Sequence, residues 1–312
     1  MPEALQGVSG DIRSAVHSGN PLIQEALDSL FQGDGKLLRP GLLIIASRFG
    51  KGDEKKFSAL GAAMEILHTA TLVHDDVIDD SPLRRGQPAA HVRYGRKDAV
   101  LVGDYLLSRC FLLASEYTSP KNAVLLAKAV STMCSMEIEQ DTDRYRADIS
   151  VRRYLRKILG KTALLFSLAC YIGAKEAKTS PIIMQRLRRA GYDIGMAFQI
   201  IDDILDYAGD PEVVRKPTGN DIRAGIATLP LICALSADRE GSLAALVDSE
   251  TFRRGDPQKI LELTIKLGGV EAARQHARRY TERALSEIAR LPDTEPRRML
   301  DQLARALLER SY

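Results

Sequence analysis

Two acidic motifs of identical spacing stand inside apolar stretches of the chain. Both have the form DDxxD, and their carboxylates are Asp75, Asp76 and Asp79 in LVHDDVIDD, and Asp202, Asp203 and Asp206 in FQIIDDILD. On a helix, the first and last carboxylate of each motif lie on one face, a turn apart. Ionised carboxylates among Leu, Ile and Val are costly unless a cation neutralises them. All-oxygen ligands favour Mg²⁺, which takes one or two carboxylates and fills its octahedron with water and phosphate. Either motif alone is also compatible with an acidic helix face or cap.

Cations that could contact a polyphosphate stand close to these motifs or in conspicuous turns. Arg provides bidentate contacts to phosphate and Lys provides a point charge. The candidates are Lys36 and Arg39 in GKLLRP, Arg84 and Arg85 after the first motif, Lys161 in a mostly apolar helix, and Lys216 after the second motif. Each is also compatible with an ordinary solvated position, although Lys161 is crowded by apolar neighbours.

Two uncharged polar side chains share a helix face with the acidic motifs. His68 precedes Asp75 by two helical turns, and Gln199 precedes Asp202 by one. The Gln199 amide oxygen is suited to face a cation, and an interhelical hydrogen bond is the alternative. His68 is either a functional group or a satisfied histidine of the core.

Helical periodicity dominates the elements that must position these residues, and no convincing strand alternation is present. Caps and prolines predict helices with approximate bounds 20–31, 40–50, 53–80, 97–117, 120–144, 150–173, 180–208 and 228–237, followed by charged amphipathic helices from 238 to 312. The segment 209–227 predicts a loop beside the second motif. Three helices are apolar over more than one stripe, which is typical of a bundle centre or a subunit interface. We therefore expect a single all-α domain, residues 1–312.

Composition excludes several functional classes. The chain of 312 residues is 45% hydrophobic, and 44 basic against 41 acidic residues leave a net charge of +3, which gives no strong attraction to nucleic acid or an anionic membrane. Its four cysteines are scattered, as expected for core residues in a reducing compartment. No signal peptide and no run of 18 apolar residues is found. These features predict a cytoplasmic protein without a membrane span.

The ordered motifs of the chain resemble those of the trans-isoprenyl diphosphate synthases, which elongate prenyl chains head to tail. The matching segments are GKLLRP (35–40), LHTATLVHDDVIDDSPLRRG (67–86), GDYLL (103–107), ExxQ (137–140), KTALLF (161–166), FQIIDDILDY (198–207), KPTGND (216–221) and TLPL (228–231). The departures are Asp34, Met136 and Arg215, where the family usually has glycine. The resemblance implies the isoprenoid synthase fold, a large helical bundle around a central substrate cavity.

The resemblance also implies a reaction and a set of roles. Mg²⁺, three ions with substrate bound, is held by Asp75, Asp79, Asp202 and Asp206. Asp76 belongs to the catalytic set, and the allylic diphosphate is held by Arg84, Lys161 and Lys216. Its departure leaves an allylic cation, stabilised by Thr162 and Gln199, which the double bond of isopentenyl diphosphate attacks. The second diphosphate is held in the family by Lys36, Arg39, His68 and Arg85, and the released diphosphate takes the proton. The 209–227 loop resembles a lid.

Product length is predicted from the residues below the first motif. One helical turn is close to the length of one isoprene unit, so residues a turn before Asp75 gate early elongation. Thr71 and Ala70 are small, which favours a product longer than C15, about C30 to C40. Leu67, Met64 and Phe111 are candidates for the floor of the cavity, and ordinary core packing is their alternative role.

Other functions remain as alternatives. These are a geranylgeranyl or farnesyl diphosphate synthase, the catalytic subunit of a heteromeric synthase, a non-catalytic partner subunit, or a terpene cyclase. The retention of both motifs argues against a silent subunit, and Lys36, Arg39 and Arg85 argue against a cyclase, which needs no second diphosphate. Family resemblance and the apolar central helices predict a homodimer, and release of product allows a transient membrane contact.

Overall fold

The chain is built almost entirely from helices. The computed structural model describes residues 1–32, 37–84, 86–208, 218–247, 252–253 and 255–308. The helices in chain order are α1 Pro2–Ala15, α2 Pro21–Leu30, α3 Leu38–Ser47, α4 Glu54–Ile78, α5 Ala90–Tyr94, α6 Arg96–Tyr117, α7 Pro120–Thr142, α8 Val151–Ile158, α9 Leu164–Glu176, α10 Pro181–Ala208, α11 Asn220–Arg223, α12 Leu229–Ala237, α13 Pro257–Lys266, α14 Gly269–Ala289 and α15 Glu295–Leu308. The all-α prediction is confirmed.

Several of the predicted helix starts are set by side-chain caps. Asn20 accepts hydrogen bonds from the backbone of Leu22 and Ile23 at the start of α2. Asp53 caps α4 through the Lys55 amide, and Ser150 caps α8 in the same manner. Each cap satisfies backbone N–H groups that have no partner within the helix, so these boundaries can be found from sequence.

The chain forms two compact units, of which the first comprises residues 1–127 and 168–185. Its central element is α4, which packs against α1, α3 and α6. The middle of α4 is buried from Phe57 to Leu67 apart from a half-buried Ser58, and it is apolar except for Ser58 and Glu65. The burial of this helix positions its C-terminal turn, which carries the first acidic motif.

The second unit comprises residues 128–167 and 186–312. Its most apolar helix, α12, packs against α8, α13 and α14, and α15 packs on α14. Buried residues recur along α10 at Leu187, Ile194, Ala197, Ile200 and Ile204. This stripe leaves the polar residues of the second acidic motif on other faces of the same helix.

The helix predicted over residues 150–173 is interrupted in the structure. Residues Leu159–Ala163 form a π-helical turn between α8 and α9. A π turn inserts one extra residue into a helical turn, which hydrophobic periodicity does not reveal, and such turns recur at functional sites. The predicted bounds of this helix agree with the structure, but the prediction of a regular α-helix is wrong around Lys161.

The polar loop after the first motif and the loop after the second both contain additional structure. Leu83–Arg84 and Gln87–Pro88 form a short antiparallel hairpin, and α5 follows it. The four-residue helix α11 lies within the 209–227 segment, whose residues 209–217 lie outside the described part of the chain. The single domain remains a prediction.

The composite helix Val151–Glu176 is long and apolar enough to cross a membrane, by length and composition alone, although no run of 18 apolar residues was expected. Two thirds of its most apolar window, 67%, is buried within the structure. Burial of that extent is typical of a core helix, because a membrane span presents its apolar side chains to lipid.

Candidate active site

The first acidic motif occupies the end of α4, where its three carboxylates have different surroundings. Asp76 is buried, 4% exposed, and accepts hydrogen bonds from Nε of Arg84 to both carboxylate oxygens, at 3.1 and 3.0 Å. A guanidinium N–H of Arg84 also contacts Asp76. Asp75 and Asp79 are half-buried. The middle carboxylate is therefore neutralised within the protein, and the outer two face a more open environment.

Arg84 reaches Asp76 from the short hairpin that follows α4. Hairpin residues Arg84 and Gln87 pair, which fixes the direction of the arginine side chain. The Arg84 side chain remains 35% exposed. The predicted phosphate ligand is thus anchored on its Nε side by a buried carboxylate, a geometry that limits the motion of an otherwise flexible side chain.

The second acidic motif near the end of α10 shows the same division. Asp202 is exposed and Asp206 is half-buried, whereas Asp203 is 7% exposed. Asp203 accepts a hydrogen bond from the Tyr154 hydroxyl at 2.5 Å and one from the Gln199 amide at 2.8 Å. In both motifs the middle aspartate is therefore held by neighbouring donors of its own unit.

Asp206 organises the chain that follows the second motif. Its carboxylate accepts from the backbone amides of Asn220 and Asp221 at 3.1 and 2.9 Å, and its carbonyl accepts from Gly219 at 2.7 Å. These bonds attach the GND part of the KPTGND motif to α10. Asp206 keeps further acceptor capacity, because each ionised oxygen carries more than one lone pair.

Lys161 and Thr162 both lie on the π turn. The Lys161 ammonium is 4.0 Å from a Glu137 carboxylate oxygen, and Glu137 in turn accepts from the Gln140 amide at 2.8 Å. This contact gives the ExxQ motif a position beside Lys161. The Thr162 hydroxyl donates to the Gln199 amide oxygen at 2.6 Å, so the interhelical hydrogen bond considered for Gln199 is present.

Two glycines permit the close approach of helices around this turn. A Cβ on Gly195 would lie 2.6 Å from the Ala163 Cα, and one on Gly160 would lie 2.3 Å from the Met136 Cγ. Met136, a departure from the family pattern, therefore packs on a glycine of the π turn. Gly195 lies one turn before Gln199, so its missing side chain brings α10 within hydrogen-bonding distance of Thr162.

Two carboxyl groups of the second unit have raised pKa values. Burial raises the pKa of Asp203 to about 6, the Tyr154 and Gln199 hydrogen bonds oppose this rise, and Asp202 adds to it. Desolvation also raises the pKa of Asp221 well above its ordinary value, with further contributions from Asp203 and Asp206. Repulsion between crowded carboxylates raises their pKa values, and nearby positive charge opposes this rise, as Lys157 and Lys161 do for Asp221.

A metal site made of protein side chains alone is absent from the described residues. No group of three or more His, Cys, Asp or Glu side chains in these ranges is arranged to hold a metal ion. The predicted Mg²⁺ does not need such a group, because Mg²⁺ is held by one or two carboxylates together with water and phosphate. The accessible outer aspartates of both motifs fit this kind of coordination.

The cations predicted for the second diphosphate are only partly within the described residues. Lys36, Arg85 and Lys216 lie outside them, as do Asp34 and Arg215. Arg39 lies on α3 and is 9% exposed. Desolvation lowers the pKa of Arg39 to about 10, against an opposing effect of Glu65, so the guanidinium remains charged at neutral pH. His68, its predicted companion, is half-buried on α4.

The residues predicted to set product length have unequal burial. Ala70, Leu67 and Met64 are buried on α4, and Thr71 is half-buried with its hydroxyl donating to the His68 carbonyl at 2.8 Å. Phe111 lies on α6 and is 38% exposed. Burial is compatible with both a cavity floor and ordinary packing for the α4 residues.

Sequence reasoning missed Tyr154, the partner role of Asp203, and the glycine contact of α10. The spacing of Gln199 and Asp203, four residues apart on one helix, would have indicated that they interact. Tyr154 is an aromatic residue in the basic segment VRRYLRKI, but nothing local indicates its partner. Its contact with Asp203 joins residues far apart in sequence.

Comparison with known proteins agrees with these observations. The polyprenyl synthetase family model matches residues 20–264. A heptaprenyl diphosphate synthase component 2 from Geobacillus stearothermophilus is 37% identical over all of this chain and 97% of its own length. The structure of a geranylgeranyl pyrophosphate synthase from Lactobacillus brevis superposes with a TM-score of 0.91 at 37% identity, covering 99% of this chain and 96% of that one.

A third comparison bears on the ligands. A polyprenyl synthase from Caulobacter crescentus, whose structure was solved in complex with calcium and isoprenyl diphosphate, superposes with a TM-score of 0.92 at 35% identity. The match covers 100% of this chain and 96% of that one. The resemblance and the isoprenoid synthase fold predicted from the motifs are thereby confirmed. The chain belongs to the polyprenyl synthetase family, whose members are prenyltransferases.

Proposed function

We propose that this chain condenses isopentenyl diphosphate with an allylic diphosphate, in the presence of Mg²⁺, and makes a polyprenyl diphosphate of about C30 to C40. The proposal is carried by one feature, the repeated DDxxD motif with a paired middle aspartate and more accessible outer carboxylates. Outer carboxylates of this kind are suited to share metal ions with a diphosphate. An apolar helix stem below the first motif is suited to a growing prenyl chain.

The outer aspartates are the proposed metal ligands, namely Asp75, Asp79, Asp202 and Asp206. Three Mg²⁺ ions with substrate bound are proposed. When bound, the metal supplies positive charge that stabilises the departing diphosphate. Asp206 has a second role here, because it also caps α11. We therefore expect its substitution to disturb the adjacent loop as well as metal binding.

The cationic residues hold the substrates. Arg84, Lys161 and Lys216 are the proposed ligands of the allylic diphosphate, and Lys36, Arg39, His68 and Arg85 are those of isopentenyl diphosphate. The allylic carbon–oxygen bond breaks and its electron pair leaves with the diphosphate. The double bond of isopentenyl diphosphate then forms the new carbon–carbon bond, and a proton passes to the released diphosphate. Fixed cations and excluded water lower the barrier to this charge separation.

Two alternatives concern product length and partner. One relative is named a geranylgeranyl pyrophosphate synthase, and that shorter product is the alternative to C30 to C40. Another relative is named component 2 of a heptaprenyl diphosphate synthase. The second alternative is therefore a catalytic subunit that needs a partner chain. A non-catalytic subunit and a terpene cyclase have no observation in their favour.

Incubation of the purified chain with Mg²⁺, labelled isopentenyl diphosphate and C5, C10, C15 or C20 primers tests the function. We expect Mg²⁺-dependent elongation, and the dephosphorylated products can be sized by chromatography. Asp75→Asn or Asp202→Asn should lower the rate by about 100-fold or more, because each removes a charge that acts on the leaving group. Asp80→Asn is the matched control, since Asp80 is exposed and pairs with Arg96. Absence of elongation by the single chain would contradict the proposal.

We also propose a cytoplasmic homodimer with no nucleic-acid partner and only transient contact with membrane during product release. In the first unit, α6 presents exposed Leu101 and Leu112, 52% and 44% exposed, which lie three turns apart on one face. Exposed apolar stripes of this kind favour subunit contact. The molar mass of the purified chain, from light scattering, tests this assembly.

A further inference from the structure

Four side chains of the second unit form one continuous chain of hydrogen bonds. The Tyr154 hydroxyl donates to Oδ2 of Asp203 at 2.5 Å, and the Gln199 amide donates to Oδ1 of Asp203 at 2.8 Å. The Thr162 hydroxyl donates to Oε1 of Gln199 at 2.6 Å. Tyr154 is fully buried, and Asp203 and Thr162 are 7% and 5% exposed. Water therefore competes little for these donors and acceptors.

The chemistry of Asp203 fixes the direction of the whole chain. An ionised carboxylate can only accept hydrogen bonds, so Gln199 must turn its NH₂ group toward Asp203. The amide oxygen is then left for Thr162, whose single hydroxyl proton is used in that contact. Toward any other group, Thr162 can offer only oxygen lone pairs. A reversed amide would place two acceptor oxygens, Oε1 of Gln199 and Oδ1 of Asp203, against each other.

The chain of bonds also spans the π turn. Tyr154 lies on α8 before the turn and Thr162 lies within it, while Gln199 and Asp203 are one turn apart on α10. Tyr154 pairs with the later residue Asp203 and Thr162 pairs with the earlier residue Gln199, which is the order expected between antiparallel helices. Asp203 is held through both of its oxygens by donors from two helices. Removal of the Tyr154 hydroxyl would leave Asp203 with only the Gln199 amide of these two donors.

We propose that Tyr154 and Asp203 are positioning residues that hold the Gln199 amide and the Thr162 hydroxyl with their oxygen atoms available to an allylic cation. This inference rests on the proposed prenyl transfer and adds to it the device that orients Thr162 and Gln199. A reversed amide would present N–H donors, which repel a carbocation, where an oxygen dipole attracts it. The expected consequence of misorientation is slower ionisation and chain elongation, with substrate binding retained.

Tyr154→Phe removes one hydroxyl and keeps the ring that fills the core. Its matched control is Tyr207→Phe, because Tyr207 is also buried, 2% exposed, and its hydroxyl accepts from Thr228 at 3.1 Å without being a member of this chain of bonds. We expect Tyr154→Phe to lower kcat by about tenfold or more, with KM for both diphosphates within about threefold of the parent. The control should stay within about threefold in both constants.

A double substitution separates positioning from general damage to the fold. Thr162→Val removes the hydroxyl at the other end of the chain of bonds. If Tyr154 acts through Thr162, Tyr154→Phe should lower kcat much less in the Thr162→Val background than it does in the parent chain. Multiplicative losses would mean that Tyr154 does not act through Thr162 and would overturn the inference. Should Tyr154→Phe melt well below its control, Asp203→Asn provides the same test with a group of equal size.

The outcomes for the two proposals are distinguishable. Elongation by the parent chain with an unchanged kcat in Tyr154→Phe overturns the positioning role and leaves the prenyltransferase function in place. A tenfold loss in kcat that is matched by Tyr207→Phe also overturns it. No elongation by the parent chain overturns the function and, with it, this inference.

Discussion

At the residue scale, the two consecutive aspartates of each motif differ in their surroundings. Asp76 and Asp203 are buried and held by their own donors, whereas Asp75 and Asp202 are more accessible. Adjacent helical residues point about 100° apart, so one of two neighbouring carboxylates can face the protein while the other faces a ligand. This geometry gives the two consecutive aspartates of each motif different surroundings.

Product length is also decided by single residues. Thr71→Phe places a large ring one turn before Asp75, where it should obstruct the growing chain. We expect the main product to shorten by several isoprene units, as measured by chromatography of the dephosphorylated alcohols. Thr69→Phe is the matched control, because two residues along a helix turn the side chain about 200° away. An unchanged product in Thr71→Phe would contradict the role of these α4 residues in setting product length.

At the element scale, close helix approach brings the catalytic candidates together. Gly195 lets α10 lie against Ala163, and the π turn directs Lys161 and Thr162. Neither feature by itself would bring Thr162 and Gln199 into contact. Together they set the 2.6 Å contact between Thr162 and Gln199, which a helix displaced by the width of a methyl group could not make.

Gly195→Ala tests this approach. The added methyl group would meet the Ala163 backbone at 2.6 Å, so the helices must separate. We expect a loss of about 1 to 3 kcal/mol in the free energy of unfolding, together with a lower kcat. Gly10→Ala at an exposed position of α1 is the control, since a Cβ added there meets nothing within 4 Å. That control should gain about 0.5 to 1 kcal/mol, and urea denaturation followed by circular dichroism measures both. Equal stability of the two variants would contradict the account.

At the scale of the whole molecule, Glu176 secures the returning segment 168–185 to the first unit. Its carboxylate accepts from Thr118, Ser119 and Asn122 at 2.6, 3.1 and 2.5 Å, and it pairs with Lys56 at 2.5 Å. These donors come from α4, from α7 and from the junction of α6 and α7. One side chain, 8% exposed, therefore joins parts of the chain that are distant in sequence.

The stability contributed by Glu176 should be lost in acid. Burial alone would raise the pKa of this carboxyl, but hydrogen bonds from Lys56, Thr118, Ser119 and Asn122 lower it from 4.5 to about 2. A depressed pKa means that the contribution is complete above the unfolded value of 4.5 and disappears as the pH falls toward 2. Glu176→Gln should cost about 1 to 3 kcal/mol at pH 6.

The difference between the parent chain and Glu176→Gln should therefore shrink as the pH is lowered below 4.5. Urea denaturation at several pH values between 3 and 6 measures it. Glu116→Gln, at an exposed position in the same unit, should follow the parent at every pH. A difference that is constant across this range would show that the Glu176 charge does not contribute.

Much of this protein follows from local sequence. Asn20, Asp53 and Ser150 mark helix starts because a capping side chain contacts backbone only two or three residues away. The DDxxD spacing places its outer carboxylates on one face for the same local reason. The bounds of most helices, the all-α class, the family and the candidate ligands could therefore be predicted without coordinates, whereas the helix Pro2–Ala15 was not predicted.

Only the tertiary structure decided how those residues are used. The burial of Asp203, the direction of the Gln199 amide and the partner of Tyr154 depend on contacts between α8, the π turn and α10. Such contacts require two helices to approach within the width of a missing Cβ at Gly195, and no local pattern encodes that distance. Sequence supplied the acidic groups and their helices, and long-range packing determined which carboxylate was buried and which remained accessible.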